Sequence, residues 1–151
     1  LCKAQGVPVL LHALPGRNDT VRLGLSALLA QHPELTGCMF LPGDQPLLRR
    51  ATVDQLLTAF AQTQKETERV IFRLGAPAGN GPDPLVGSPV LFSNGFFPEL
   101  LTLPEGKGGS VLLHKYPTLV HTACIAQPEE LADTDSPAAL AQLEALVREK
   151  G

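Results

Sequence analysis

Asp44 is the residue in this chain whose type and position most clearly suggest chemistry. It lies in the tetrapeptide Gly-Asp-Gln-Pro at 43–46, which follows the apolar run 38–41 and precedes a segment with helical spacing. Asp, Gly and Pro are disfavoured within strands, so the tetrapeptide predicts a turn between a strand and a helix. Open α/β sheets bind their ligands at such strand ends. Asp44 is therefore a candidate ligand for a hard cation, and the alternative is an aspartate that hydrogen-bonds its own turn.

A second acidic cluster, Asp-Thr-Asp at 133–135, lies between the last strand-like segment and the last helical one. Strand-to-helix loops of a parallel sheet gather along one edge, so the two clusters are expected to meet there. Mg²⁺ usually binds through one or two carboxylates when substrate phosphates supply further oxygens, and these clusters supply that number. The alternative for Asp133 and Asp135 is capping of the following helix and interaction with its dipole.

Two further loops carry groups that can contact phosphate. The stretch 106–110, Gly-Lys-Gly-Gly-Ser, offers backbone N–H groups and a lysine before a short helix, but it lacks the full P-loop spacing. The stretch 16–20, Gly-Arg-Asn-Asp-Thr, places polar groups at a helix start. A glycine-rich surface turn and helix capping are the respective alternatives for these two loops.

Other residue types that carry catalysis lack the necessary context. The four histidines show no zinc-binding spacing, and Ser26 and Ser93 lack the GxSxG setting of an esterase nucleophile. The three cysteines form no CxxC pair, so they indicate neither a disulfide framework nor a zinc site. This cysteine usage fits a reducing cytoplasm, which is the predicted location.

The elements that must position these residues alternate along the chain. Strands are predicted at 7–12, 38–41, 69–74, 87–92 and 119–125. Helices are predicted after an N-cap at Asn18 or Asp19, at a capping box over 52–55, at 110–113 and from Ser136 onward, and a short helix or turn is predicted at 96–101. Alternation of strands and helices implies a parallel sheet. Six of the ten residues in 75–84 are Gly or Pro, which predicts a loop.

Size and charge narrow the class of partner. The 151 residues fit one domain, and the formal charge of −3 argues against nucleic acid as the main ligand. No apolar run approaches the roughly 20 residues of a membrane-spanning helix. Small molecules are the expected partners.

Four motifs in this order and spacing resemble those of the MobA-like molybdenum cofactor nucleotidyltransferases, most closely the cytidylyltransferase branch. They are the stretches 43–47, 87–92, 106–110 and 133–137, and the resemblance covers nearly the whole chain. It implies a Rossmann-like α/β/α fold of the nucleotide-diphospho-sugar transferase type, with a mostly parallel sheet. The family's opening signature, Leu-Ala-Ala-Gly-x-Ser-x-Arg-Met-Gly, does not precede Leu1. Residues 1–151 are therefore expected to be N-terminally incomplete and to form one domain, the C-terminal two-thirds of a nucleotidyltransferase.

The same resemblance implies roles for individual residues. Asp44 and Asp135 are the implied Mg²⁺ ligands, with Asp133 as the runner-up for the second position. Asp44 and Lys107 are the implied catalytic residues. The implied nucleotide-binding residues are Gly16, Arg17, Thr20, Gly43 and Asp44, and the implied acceptor-binding residues are Gln45, Pro46, Ser88 and Gly108.

The implied reaction is Mg²⁺-dependent transfer of CMP from CTP to molybdopterin with release of pyrophosphate. One alternative is nucleotidyl transfer to a sugar or polyol phosphate, since one fold serves many acceptors. Another is a non-catalytic binding fragment, because the triphosphate loop is absent from the sequence. Residues 1–151 alone are expected to be inactive.

Overall fold

The computed structural model describes residues 2–150, and a four-stranded sheet lies at the centre of this part of the chain. The strands are β1 (Gly37–Phe40), β2 (Ile71–Ala76), β3 (Leu85–Ser93) and β4 (Val120–Cys124), in the spatial order β1-β3-β2-β4. Strand β3 is antiparallel to β1 and β2, and β2 is parallel to β4. Strands β1, β2 and β4 therefore run in one direction, and their carboxyl ends lie at the same edge.

Helices cover both faces of this sheet. Within residues 2–150 the α-helices are α1 (Arg17–Gln31), α2 (Arg50–Gln64), α3 (Phe97–Leu101), α4 (Ser110–Lys115) and α5 (Pro137–Lys150). Helices α1, α3 and α4 bury Leu25, Leu100 and Leu112 in one cluster with Phe92 of β3. The α/β/α architecture expected from the sequence is thus observed. None of the helices in this part of the chain has the length and apolar character needed to cross a membrane.

Helix α2 shows how spacing determines which face is buried. Leu56 and Phe60 are four residues apart, so they lie on the same side of the helix, and both are buried. Phe60 meets Phe72 of β2 edge to face, with ring centroids 6.0 Å apart. Burial of such side chains contributes roughly 1.5–3 kcal/mol each, so this face attaches α2 firmly to the sheet.

The sheet is mixed and not strictly parallel, because β3 runs against the three strands that share one direction. Residues 77–84 join β2 to β3 and form neither helix nor strand. A parallel connection needs a crossover of about a dozen or more residues. A loop this short returns the chain beside β2 in the opposite direction, so β3 is antiparallel.

The strand predicted at 7–12 is not formed. These residues have no regular secondary structure, and the side chains of Val7, Leu10 and Leu11 are exposed. A groove of about 460 Å³, lined by residues 8–10, α1 and β1, lies beside this segment. Strand β1 pairs only with β3 in the described part of the chain. The segment thus has the composition of a strand but is not part of the sheet.

Caps were predicted for three helices, and for two of them the helix in the structure begins at a different residue. Helix α1 begins at Arg17 after Gly16, and α2 begins at Arg50 after Arg49, each without a side-chain cap. Asn18 lies in the first turn of α1, and its Oδ1 accepts a hydrogen bond from the N–H of Gly106 at 3.0 Å and does not cap the helix. The third prediction is confirmed, since Ser136 Oγ accepts the N–H of Ala139 at 3.1 Å and α5 follows.

Candidate functional site

The loops that carry Asp44 and Asp135 meet at the edge where β1 and β4 end. The pKa of Asp135 is raised, first by a hydrogen bond shared with Asp44 and then by the charges of Asp133 and Asp44, while the charge of Arg17 acts in the opposite direction. The two loops that the sequence suggested could converge are joined, because Thr134 bonds to the carbonyl oxygen of Asp44. The role of Asp44 and Asp135 as metal ligands stays a prediction.

Backbone hydrogen bonds keep the two acidic loops together. The carbonyl oxygen of Asp44 accepts the N–H of Thr134 at 3.0 Å and the hydroxyl of Thr134 at 3.2 Å. Beside them, Gln45 Nε2 donates to the carbonyl oxygen of Leu131 at 3.4 Å. The Oε1 atom of Gln45 is buried without a hydrogen-bond partner in the described part of the chain. The loop after β1 is thereby joined to the loop after β4.

This carboxylate pair suits a hard divalent cation. Two acidic groups this close repel each other when both are ionised, and a cation bound between them removes the repulsion. No group of three or more His, Cys, Asp or Glu side chains within residues 2–149 is arranged to hold a metal ion. A cation at Asp44 and Asp135 therefore needs further oxygens from water and from substrate phosphates, which is the usual manner of Mg²⁺ binding.

The two phosphate-loop candidates of the sequence lie against each other. Gly106 adopts a left-handed φ of 69° and directs its N–H to Asn18. A Cβ placed on Gly108 would lie 3.9 Å from the side chain of Arg17. Arg17 in turn is close enough to Asp135 for its charge to affect that carboxyl. The glycine-rich loop before α4 thus lies against the start of α1.

A cavity of about 300 Å³ lies between α1, α4 and the sheet, directly beside the loop after β1. Its polar lining includes Ser88, Gly109 and Ser110, and its walls are apolar side chains such as Phe40 and Phe92. An apolar space with a few polar groups is typical of small-molecule sites. The cavity is therefore a candidate seat for part of a substrate.

The remaining predicted residues are more scattered. Gly43, Pro46 and Lys107 are exposed. The N–H of Lys107 donates to the carbonyl oxygen of Pro104, but no ion pair or hydrogen bond among residues 2–150 joins Lys107 to Asp44 or Asp135. Thr20 Oγ1 lies 3.1 Å from His12 Nε2. His12 therefore lies beside Thr20, a predicted nucleotide-binding residue. The spacing of the histidines in the sequence gave no indication of this.

Glu130 and Arg49 are the main residues that sequence reasoning missed. Glu130 is 1% exposed, and its Oε1 accepts a hydrogen bond from Arg49 Nη2 at 2.5 Å. Burial alone would raise the pKa of Glu130, but hydrogen bonds from Arg49, the Gln127 N–H and Thr52 outweigh it and lower the pKa to about 2. A signal was present: Gln127 and Glu130 have the three-residue separation of a capping box, and they form one.

The chain is similar to a known protein family and to solved structures. Residues 1–120 match the model of the MobA-like NTP transferase domain family. The crystal structure of Rv0371c from Mycobacterium tuberculosis H37Rv is 25% identical, with a TM-score of 0.72, and the match covers 92% of this chain and 65% of that one. A structure of Rv0371C in complex with manganese, from the same organism, is 22% identical with a TM-score of 0.54, and the match covers 82% of this chain and 58% of that one. The chain thus spans less than two-thirds of either solved chain. No curated protein matched the sequence.

Proposed function

Because this chain belongs to the MobA-like NTP transferase domain family, we propose that it carries the acidic part of the active site of a Mg²⁺-dependent nucleotidyltransferase. The complete enzyme would transfer CMP from CTP to molybdopterin and release pyrophosphate. The observation that carries the proposal is that Thr134 donates its N–H and its hydroxyl to the carbonyl oxygen of Asp44, which joins the loops of Asp44 and Asp135 at the strand-end edge. Residues 1–151 would form the C-terminal two-thirds of the domain and would be inactive alone, because the family's triphosphate-binding signature is not among them.

The reaction needs no protein nucleophile. An oxygen of the molybdopterin phosphate attacks the α-phosphorus of CTP, the bond from that phosphorus to the bridging oxygen breaks, and pyrophosphate leaves with the electron pair. When bound, Mg²⁺ supplies positive charge to the phosphate oxygens. Asp44 and Asp135 would hold it, and the protein's task is to orient two anions in line.

Other residues would then divide between the two substrates. Gly16, Arg17 and Thr20, at the start of α1, would contact the nucleotide together with Gly43. Arg17 suits this role because its charge lowers the pKa of Asp135, in opposition to the charges of Asp133 and Asp44. Lys107 would contact an anionic group of the acceptor.

The acceptor would occupy the strand-end edge near the 300 Å³ cavity. Ser88 lines this cavity and Gly108 precedes two further lining residues. Gln45 and Pro46 lie in the loop that follows β1, so they would contact the acceptor from the side of the metal ligands. The buried, unpartnered Oε1 of Gln45 supports a polar neighbour at this position.

A solved relative gives a further reason to examine divalent cations. Rv0371C has been crystallised with manganese, and Mn²⁺ and Mg²⁺ share a preference for carboxylate and water oxygens. That complex is a property of the relative. For this protein it supports the use of Mn²⁺ as a probe of the Asp44 and Asp135 pair.

The acceptor is tested by direct comparison of substrates. The protein expressed from its whole reading frame would be incubated with Mg²⁺ and each of CTP, GTP and ATP, and with molybdopterin or with sugar and polyol phosphates. We expect pyrophosphate and a cytidylylated product with CTP and molybdopterin. Product formed only with a sugar phosphate would establish the alternative acceptor, and no product with any pair would contradict nucleotidyl transfer.

A further inference from the structure

Glu130 is the only charged side chain that is buried within residues 2–149. Its carboxylate accepts hydrogen bonds from Arg49 Nη2 at 2.5 Å, from Arg49 N–H at 3.1 Å and from Gln127 N–H at 2.9 Å. A buried carboxylate is costly unless such partners surround it. The protein thus keeps a fully hydrogen-bonded carboxylate at a position where an apolar side chain would be buried without a desolvation cost.

Arg49, the partner of Glu130 in the ion pair, belongs to the segment that carries Asp44. Arg49 immediately precedes α2, and its backbone N–H and guanidinium both donate to the Glu130 carboxylate. Glu130 itself lies in the short 3₁₀ helix Pro128–Leu131, just before the loop that carries Asp135. The ion pair therefore joins the far end of one acidic loop to the near end of the other.

Three sets of contacts run in sequence between these two segments. Glu130 binds Arg49, Leu131 accepts from Gln45, and Thr134 donates to Asp44. The contacts come progressively closer to the carboxylate pair, and the Glu130 contact is the only one that includes an ion pair. Hydrogen bonds to charged groups are the stronger kind, so Glu130 makes the strongest attachment in the series.

We propose that Glu130 is a positioning residue that sets the separation of Asp44 and Asp135 by clamping the start of α2 to the loop after β4. Its effect on cation binding rests on the proposed function of that pair. Without the charged contact, the Thr134 and Gln45 contacts must hold the two loops alone. The carboxylates would then spend less time at the spacing that a divalent cation requires, as happens when supporting residues of metal ligands are removed.

The test compares Glu130→Gln with wild type in the 151-residue chain. Glutamine keeps the shape of the side chain and removes its charge. Glu99→Gln is the matched control, because Glu99 also binds an arginine at 2.5 Å, together with Lys115 and Tyr116, but does so near the amino end of β2. Arg49→Gln is a second variant in case Glu130→Gln does not fold, since Arg49 is 58% exposed.

Two measurements separate the proposal from the proposed function. Amide hydrogen exchange of Thr134 reports whether the loops stay joined, and calorimetric titration with Mn²⁺ reports affinity at the carboxylate pair. We expect Glu130→Gln to accelerate Thr134 exchange about 10-fold more than exchange of core amides in β2, and to weaken Mn²⁺ binding about 10-fold. Glu99→Gln should change neither measurement selectively.

Other results would overturn the proposal. Thr134 exchange that changes no more than core exchange would show that Glu130 acts only on overall stability. Faster Thr134 exchange with unchanged Mn²⁺ affinity would show that the loop spacing does not matter to the cation. If the wild-type protein does not bind Mn²⁺, the proposed cation site is wrong. The Glu130 clamp is then judged by hydrogen exchange alone: selective acceleration of Thr134 exchange in Glu130→Gln supports it, and no selective acceleration refutes it.

Discussion

Thr134 donates both its backbone N–H and its hydroxyl to the carbonyl oxygen of Asp44, at 3.0 and 3.2 Å. The two residues are 90 positions apart, and each lies in a loop that carries a carboxylate of the candidate site. A main-chain contact of this kind holds the loops together without using the carboxylates themselves. Asp44 and Asp135 therefore remain available to a cation.

Asp135→Asn is expected to stabilise the cation-free protein at neutral pH. The raised pKa of Asp135 means that the folded state holds its proton more tightly than the unfolded state does. Ionised Asp135 is therefore destabilising, and this penalty is absent below its ordinary pKa of 3.8 and grows as the pH rises through the raised value. Thermal unfolding by circular dichroism at pH 7 and pH 3 measures the difference.

The control for this prediction is Asp83→Asn, in the exposed loop between β2 and β3. It should leave the unfolding midpoint unchanged at both pH values. A gain for Asp135→Asn at pH 7 that disappears at pH 3 supports the account. A lower midpoint for Asp135→Asn at pH 7 would mean that the α5 dipole outweighs repulsion from Asp44 and Asp133.

Glu130 should give the opposite pH dependence. Its pKa is lowered from 4.5 to about 2, so its carboxylate binds protons more weakly in the folded state. Its contribution to stability is complete above pH 4.5 and is lost as the pH falls toward 2. We expect Glu130→Gln to cost about 2 kcal/mol at pH 7 and clearly less at pH 3, measured by urea unfolding. A cost that does not change with pH would show that the charge of Glu130 is unimportant.

Two glycines provide a matched test of packing. At Gly24 in α1 an added Cβ meets nothing within 4 Å, whereas at Gly75 in β2 it would lie 2.7 Å from Thr122 Cγ2 and 3.0 Å from the carbonyl oxygen of Leu85. Gly24→Ala should therefore stabilise the protein by about 0.5–1 kcal/mol through helix propensity. Gly75→Ala should destabilise it by about 1–3 kcal/mol through crowding. Urea unfolding of both variants checks the two signs, and a destabilising Gly24→Ala would contradict the open surroundings of that position.

Strands were predictable from the sequence where a neighbour exists to pair with them. The predicted strands at 38–41, 69–74, 87–92 and 119–125 correspond to β1, β2, β3 and β4 within about two residues. The predicted strand at 7–12 has the same composition but forms no ladder in the described chain, so pattern alone does not distinguish it from the other four. The pattern of residue types also does not give the direction of a strand. The direction of β3 is determined by the short connection at 77–84.

The candidate site was predictable in part for a similar reason. Asp44 and Asp135 follow strands, and strand ends that share an edge bring their loops together. Glu130 and Arg49 are 81 positions apart, and charged residues are ordinarily expected on the surface. Their pairing depends on how the 3₁₀ helix Pro128–Leu131 packs against the start of α2, which is a property of the folded chain.

The most direct test of the claim that Asp44 holds the cation is the activity of Asp44→Asn, prepared from the whole reading frame. The measured quantity is the rate of Mg²⁺-dependent pyrophosphate release from CTP in the presence of molybdopterin. Asparagine keeps the size of the side chain and removes the charge that would bind the cation. We predict a loss of at least about 100-fold with little change in the unfolding midpoint. Asp54→Asn, an exposed acid on α2 paired with Arg50, should retain the wild-type rate. A wild-type rate for Asp44→Asn would contradict the claim that Asp44 holds the cation.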